Sequence, residues 1–123
     1  MATELRKCWP ALGAAPLLLA ACAQQPVICT ALYAYGLTVT VVDAPTGDSL
    51  RVAPAGVAHD GSWSETMQVF GNHLLGAGER AGTYDITVTA PGYRAWDTTG
   101  VKVTADECHV RGVNLTARLA PEP

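Results

Sequence analysis

Thr83-Tyr84-Asp85-Ile86-Thr87-Val88-Thr89 alternates apolar and polar residues without a break. A period of two puts Tyr84, Ile86 and Val88 on one face of a strand and Asp85 and Thr87 on the other. The β-branched and aromatic content suits a pleated, half-buried surface. Earlier in the chain, Leu37-Thr38-Val39-Thr40-Val41-Val42 repeats the pattern. There Leu37, Val39 and Val41 face a core, and Thr38 and Thr40 face away.

The rest of the chain fills in around these two strands. Asp43-Ala44-Pro45-Thr46-Gly47-Asp48 is turn chemistry. Leu50 to Val52 and Val57 to His59 are short strand candidates on either side of Pro54. Asp60-Gly61 signals a tight hairpin, and Trp63 to Val69 is its return strand. Phe70 to Gly82 carries Gly71, Gly76, Gly78 and Gly82 together with Glu79-Arg80, and reads as a loop holding one helical turn at most. Ala90-Pro91-Gly92-Tyr93 turns the chain. Ala95 to Thr99, Val101 to Thr104 and Val110 to Leu119 follow as strands, the last with Val113, Leu115, Ala117 and Leu119 on one face. Seven short strands with turns at near-regular spacing predict an all-β sandwich. No heptads or internal repeats are present.

The N-terminal stretch has a different character. Arg6 and Lys7 precede an apolar run from Ala11 to Ala21, which ends in Leu19-Ala20-Ala21-Cys22. The run is shorter than the ~20 residues that span a bilayer, but it fits the core of a secretory signal. Pro10 and Pro16 disfavour a buried helix of a globular domain. The four residues ending in Cys22 resemble the lipobox of bacterial lipoproteins. That resemblance implies a signal-peptide helix over 1–21, a diacylglycerol on Cys22 and a mature chain beginning there. A plain secretory signal with a coincidental cysteine is the competing reading. Ala23 stands where an aspartate would resemble inner-membrane retention. The expected location is therefore the cell envelope, lipid-anchored, at the outer membrane where the cell has one. The membrane is the expected partner, reached through the acyl chains.

The whole chain has 123 residues, 8 Lys and Arg, 11 Asp and Glu, and a formal charge of -3. Glu4, Arg6 and Lys7 fall within the segment 1–21, so the remainder keeps six basic and ten acidic residues, a formal charge of minus four. With no basic cluster, nucleic acid is excluded as an expected partner. Of the four cysteines, the lipobox resemblance implies that Cys8 leaves with the signal and Cys22 takes the lipid. Cys29 and Cys108 remain in an oxidising compartment and are expected to pair. Two free thiols or an intermolecular bridge are the alternatives. No CxxC pair accompanies them, so a zinc site is not expected.

Three segments, in order, resemble carboxypeptidase regulatory-like domains. Gly36 to Gly47 looks like their opening strand and turn, Gly82-Thr83-Tyr84-Asp85-Ile86-Thr87-Val88 like their G-x-Y-x-hydrophobic-x-V strand, and Ala90-Pro91-Gly92-Tyr93 like the turn that follows. The resemblance implies a seven-stranded prealbumin/immunoglobulin-like sandwich over 36–119. A lipidated tether with a first short strand would occupy 22–35, and a tail 120–123. It also implies an accessory module rather than an enzyme. Hydroxyisourate hydrolases share the fold, and their opening strand reads L-T-x-H-V-L-D. Here Thr40 replaces the histidine, and the chain ends Ala120-Pro121-Glu122-Pro123 instead of Tyr-Arg-Gly-Ser.

No catalytic constellation stands out, so no catalytic residue, metal ligand or cofactor is expected. His59, His73 and His109 lack metal spacing, and Ser49, Ser62 and Ser64 lie in no GxSxG. Asp43, Asp48 and Asp60 are candidates for calcium if they converge. Trp63 and Trp96 are candidates for a sugar platform if exposed. A rival enzyme or ligand-carrier reading needs His59, Asp60 and Arg80 to meet in one pocket. The leading expectation is a structural or binding module with a protein or carbohydrate partner. Its contacts would lie on the loops around Asp43 to Asp48 or Phe70 to Gly82.

Overall fold

A computed structural model describes residues 26–123. The expected signal-peptide helix over 1–21 and the expected lipidation site Cys22 lie outside the described residues. Eight strands form among those described: β1 (Tyr35–Asp43), β2 (Ala55–Asp60), β3 (Trp63–Thr66), β4 (Gln68–Phe70), β5 (His73–Gly78), β6 (Gly82–Thr89), β7 (Trp96–Val103) and β8 (Val113–Leu119). No helix is present among them. One four-stranded sheet runs β4-β5-β1-β8, the other β3-β2-β6-β7. All pairings are antiparallel except β1 with β8, which run parallel from Leu37↔Val113 to Asp43↔Leu119.

The predicted alternation governs the core. Leu37, Val39, Val41, Leu74, Ala117 and Leu119 from one sheet meet Ala58, Tyr84, Ile86, Val88 and Val103 from the other in a single buried cluster. The two sheets thus share one apolar layer, the arrangement of a β-sandwich.

Several details differ from the sequence reading. The strand count is eight rather than seven. No strand forms in 26–34, so the short strand expected within 22–35 is absent from its described part; the first strand begins at Tyr35. Leu50 to Val52 is not a strand, and only Ser49 bridges back to Val42. The expected loop over Phe70 to Gly82 contains β5, which pairs with β4 and β1 on its two sides.

The expected hairpin forms one residue on from Asp60-Gly61, with Gly61-Ser62 as its loop because Asp60 pairs with Trp63, but its return strand breaks at Met67. β3 stays beside β2, whereas β4 crosses to the other sheet. Met67 is the corner: its N–H donates to Gly56 O, and its side chain is buried between the sheets. Gly71-Asn72 then makes a second two-residue turn, with positive φ at Gly71 alone, the pattern of a type II′ hairpin. The two strands predicted at Ala95–Thr99 and Val101–Thr104 are one strand, β7, interrupted by a bulge. Gly100 sits there at φ 68° and donates its N–H to Asp85 Oδ1, where the β6–β7 register slips.

Candidate functional site

The topology gives the sandwich two ends. Tyr35, Gly78, Gly82, Val103 and Val113 mark one, where the tether enters. The turns 44–54, 71–72 and 90–95 and the C-terminal tail mark the other.

At the tether end, Cys29 and Cys108 form a disulfide with Cα atoms 5.2 Å apart, closing 79 positions of sequence. Around it lies a polar clasp. Glu79 Oε2 accepts the Ala34 N–H at 2.7 Å and lies 2.8 Å from His109 Nδ1. The Glu79 N–H in turn donates to Ala34 O. His109 Nε2 is 3.1 Å from Thr30 Oγ1. An imidazole whose Nδ1–H points at Glu79 has Nε2 free to accept from the Thr30 hydroxyl. The Ala34 N–H, with His109 second, holds the Glu79 carboxyl below its ordinary pKa. Asp106 positions His109 by accepting the N–H groups of both Cys108 and His109, and its own pKa is lowered by those bonds. Glu79 itself sits at φ 51°, an uncommon conformation for a non-glycine residue.

Also at this end, Arg80 Nη1 pairs with Asp60 Oδ2 at 2.9 Å and donates to the Tyr84 hydroxyl at 3.0 Å. The Tyr84 hydroxyl donates to Arg80 O. The guanidinium lies 4.0 Å over the Trp63 ring. Tyr84 first and Asp60 second favour the charged form of Arg80. His59 does not join them. It neighbours Asp60 on β2, so the pleat sends it to the opposite face, where it is exposed. The trio required by the rival enzyme reading therefore does not assemble.

At the opposite end, Asp43 Oδ2 accepts from Thr46 Oγ1 and N, and Asp43 Oδ1 accepts from the Tyr93 hydroxyl at 2.9 Å. These bonds, that from Thr46 Oγ1 foremost, lower the Asp43 pKa, while the same contact raises that of Tyr93. The Ala90–Tyr93 turn closes through Tyr93 N to Ala90 O, and the tail docks on it through Arg94 N to Ala120 O and Glu122 N to Gly92 O. Asp60 lies at the tether end, away from Asp43 and Asp48. The three aspartates do not converge, and no group of three His, Cys, Asp or Glu is placed to hold a metal among the described residues.

Protein-family models and curated proteins offer no match to this chain.

The candidate residues thus divide by what the fold does with them. Arg80 and Asp60 are brought together; His59 is not. Trp63 and Trp96 both pack against the core, and the Trp63 face is covered by Arg80, which removes it as a sugar platform. Thr40 lies beside His73 across β1 and β5, 3.0 Å from its Nδ1. A histidine therefore adjoins the very position where the hydrolase resemblance lacks one. Sequence reasoning missed the Thr30–His109–Glu79 clasp. The pairing expected for Cys108 offered a signal for His109, because any residue next to Cys108 must lie near Cys29 and Thr30. Nothing local signalled Glu79, which arrives through the turn after β5.

Proposed function

We infer that this chain is a lipid-anchored accessory module of the cell envelope, a prealbumin-like sandwich that binds or braces rather than catalyses. The observation that carries the reading is the Cys29–Cys108 disulfide. Such a bond persists in an oxidising compartment, which is where a signal ending in Leu19-Ala20-Ala21-Cys22 would deliver the chain. The anchor is Cys22, and the partner contacts belong to the end remote from it. There Phe70, exposed at 72%, projects beside the Gly71-Asn72 turn. Intact-mass measurement on the membrane fraction tests the reading. The expected chain starts at Cys22 and carries acyl mass, and Cys22→Ser releases it from membranes. An unacylated chain with another N-terminus overturns it.

One observation favours a second reading, a small hydrolase. Hydroxyl, imidazole and carboxylate follow one another in Thr30, His109 and Glu79, the connectivity of an activated nucleophile. The same three groups hold the tether, which accounts for them without chemistry. Ester hydrolysis by the purified protein, abolished by His109→Ala, would establish the enzyme instead.

A further inference from the structure

We propose that the stapled tether is a lipid-contact surface, through which Val27, Ile28, Leu32 and Tyr33 seat one end of the sandwich on the membrane holding the Cys22 anchor. The proposal rests on the acylation of Cys22 argued above.

These four side chains are 53%, 88%, 71% and 60% exposed. They fall within seven consecutive positions, in a stretch, 26–34, that contains no charged residue. Large apolar side chains concentrated in this way mark an interaction surface rather than ordinary scatter.

Nor does the tether hang free. Cys29 is bonded to Cys108, Ala34 exchanges backbone and side-chain hydrogen bonds with Glu79, and Thr30 meets His109. Tyr33 lies over Gly78 and meets the Tyr35 ring edge-on at 5.2 Å. The apolar side chains are therefore displayed on a framework ordered before any partner arrives, which lowers the cost of docking.

Chain length selects the partner. Six residues lie between Cys22 and Cys29, and the seven Cα-to-Cα steps reach at most about 25 Å when fully extended. An acylated Cys22 thus keeps this end, and not the Phe70 end, against the headgroups. Electrostatics point the same way. With no Lys or Arg in the stretch and an acidic chain behind it, attraction to anionic lipid is not the driving force. Apolar insertion with a tyrosine at the interface is.

The test uses the acylated protein in phosphatidylcholine vesicles that contain brominated lipid. Tryptophan is introduced singly by Ile28→Trp, Leu32→Trp or, at the remote end, Phe70→Trp. All three sites are exposed, and each variant is first checked for the intact disulfide. The added emission of Ile28→Trp and Leu32→Trp is expected to fall at least twofold with brominated lipid, and that of Phe70→Trp to stay unchanged. Acylated protein with no more quenching at positions 28 and 32 than at 70 overturns this proposal alone. Concentration-dependent shifts at 28 and 32 without lipid quenching also overturn it, by assigning the surface to a second copy. A mass showing no acyl group on Cys22 overturns the anchor and this proposal together.

Discussion

The guanidinium carbon of Arg80 lies over Trp63, 4.0 Å from the ring centroid. The same group bonds Asp60 and the Tyr84 hydroxyl, so one arginine ties the β2–β3 hairpin to β6. In a chain starting at Cys22 and carrying Trp96→Phe, Trp63 is the sole tryptophan. Arg80→Ala should then red-shift its emission and raise its quenching by acrylamide. An unchanged spectrum would show that the ring is not covered in solution.

Tyr84 is fully buried, yet its hydroxyl both donates to Arg80 O and accepts from the guanidinium. Tyr84→Phe keeps the ring and removes these bonds. Loss of a buried hydrogen bond of this kind costs about 1–3 kcal/mol, measurable as a lower urea midpoint with an unchanged slope. A midpoint equal to that of the parent would mean the hydroxyl is idle.

Leu74 tests the strand in the segment that reads as a loop. It is 0% exposed and paired with Val39 and Val69. Leu74→Ala should destabilise by about 2–5 kcal/mol, the usual cost of a large-to-small change in a core. A loop leucine would lose far less, so a change under half a kilocalorie would argue against β5.

The disulfide closes a long loop, and constraining the unfolded chain in this way contributes about 4 kcal/mol on the chain-entropy model. The paired change Cys29→Ser with Cys108→Ser should lower thermal stability accordingly. It should also expose the Ala34 amide to hydrogen exchange, because the clasp around Glu79 depends on the tether being held. An amide that stays protected would show that the clasp holds by itself.

Acid stability follows from three carboxylates. Asp43, Glu79 and Asp106 all titrate below their ordinary values of 3.8, 4.5 and 3.8. The folded chain then binds fewer protons than the unfolded one across that window. Stability is complete above about pH 5 and falls as pH drops through the folded values. Tyr93 acts at the other extreme. Its pKa is raised from 10.0, so its contribution is present below that value and is lost as pH rises through the folded one. Thermal melts against pH should show both limbs, and Glu79→Gln should flatten the acid limb. A slope identical to the parent's would remove Glu79 from the account.

The sequence by itself determined the fold class and the faces of the long strands. Alternation is a local property, and in β1, β6 and β8 it matched the burial seen at Leu37, Val39, Tyr84, Ile86, Ala117 and Leu119. Turn chemistry was legible at Gly61, within one residue of the turn, and at Pro91-Gly92, because a positive φ imposes its own residue type. The Cys29–Cys108 bond was expected once the lipobox resemblance set Cys8 and Cys22 aside, with free thiols or an intermolecular bridge as the alternatives. Tertiary structure alone decided three things. β5 has a poor strand sequence, and it is extended because β1 and β4 supply its hydrogen bonds. Gly76 suits that place because a Cβ there would crowd the Met67 and Glu65 side chains at 3.2 Å. The split at Met67 depends on which sheet has room for the returning chain. The clasp joining Thr30, His109 and Glu79 links segments 79 and 30 positions apart. Pairings of that range depend on where the whole chain closes, and no window of neighbouring residues records it.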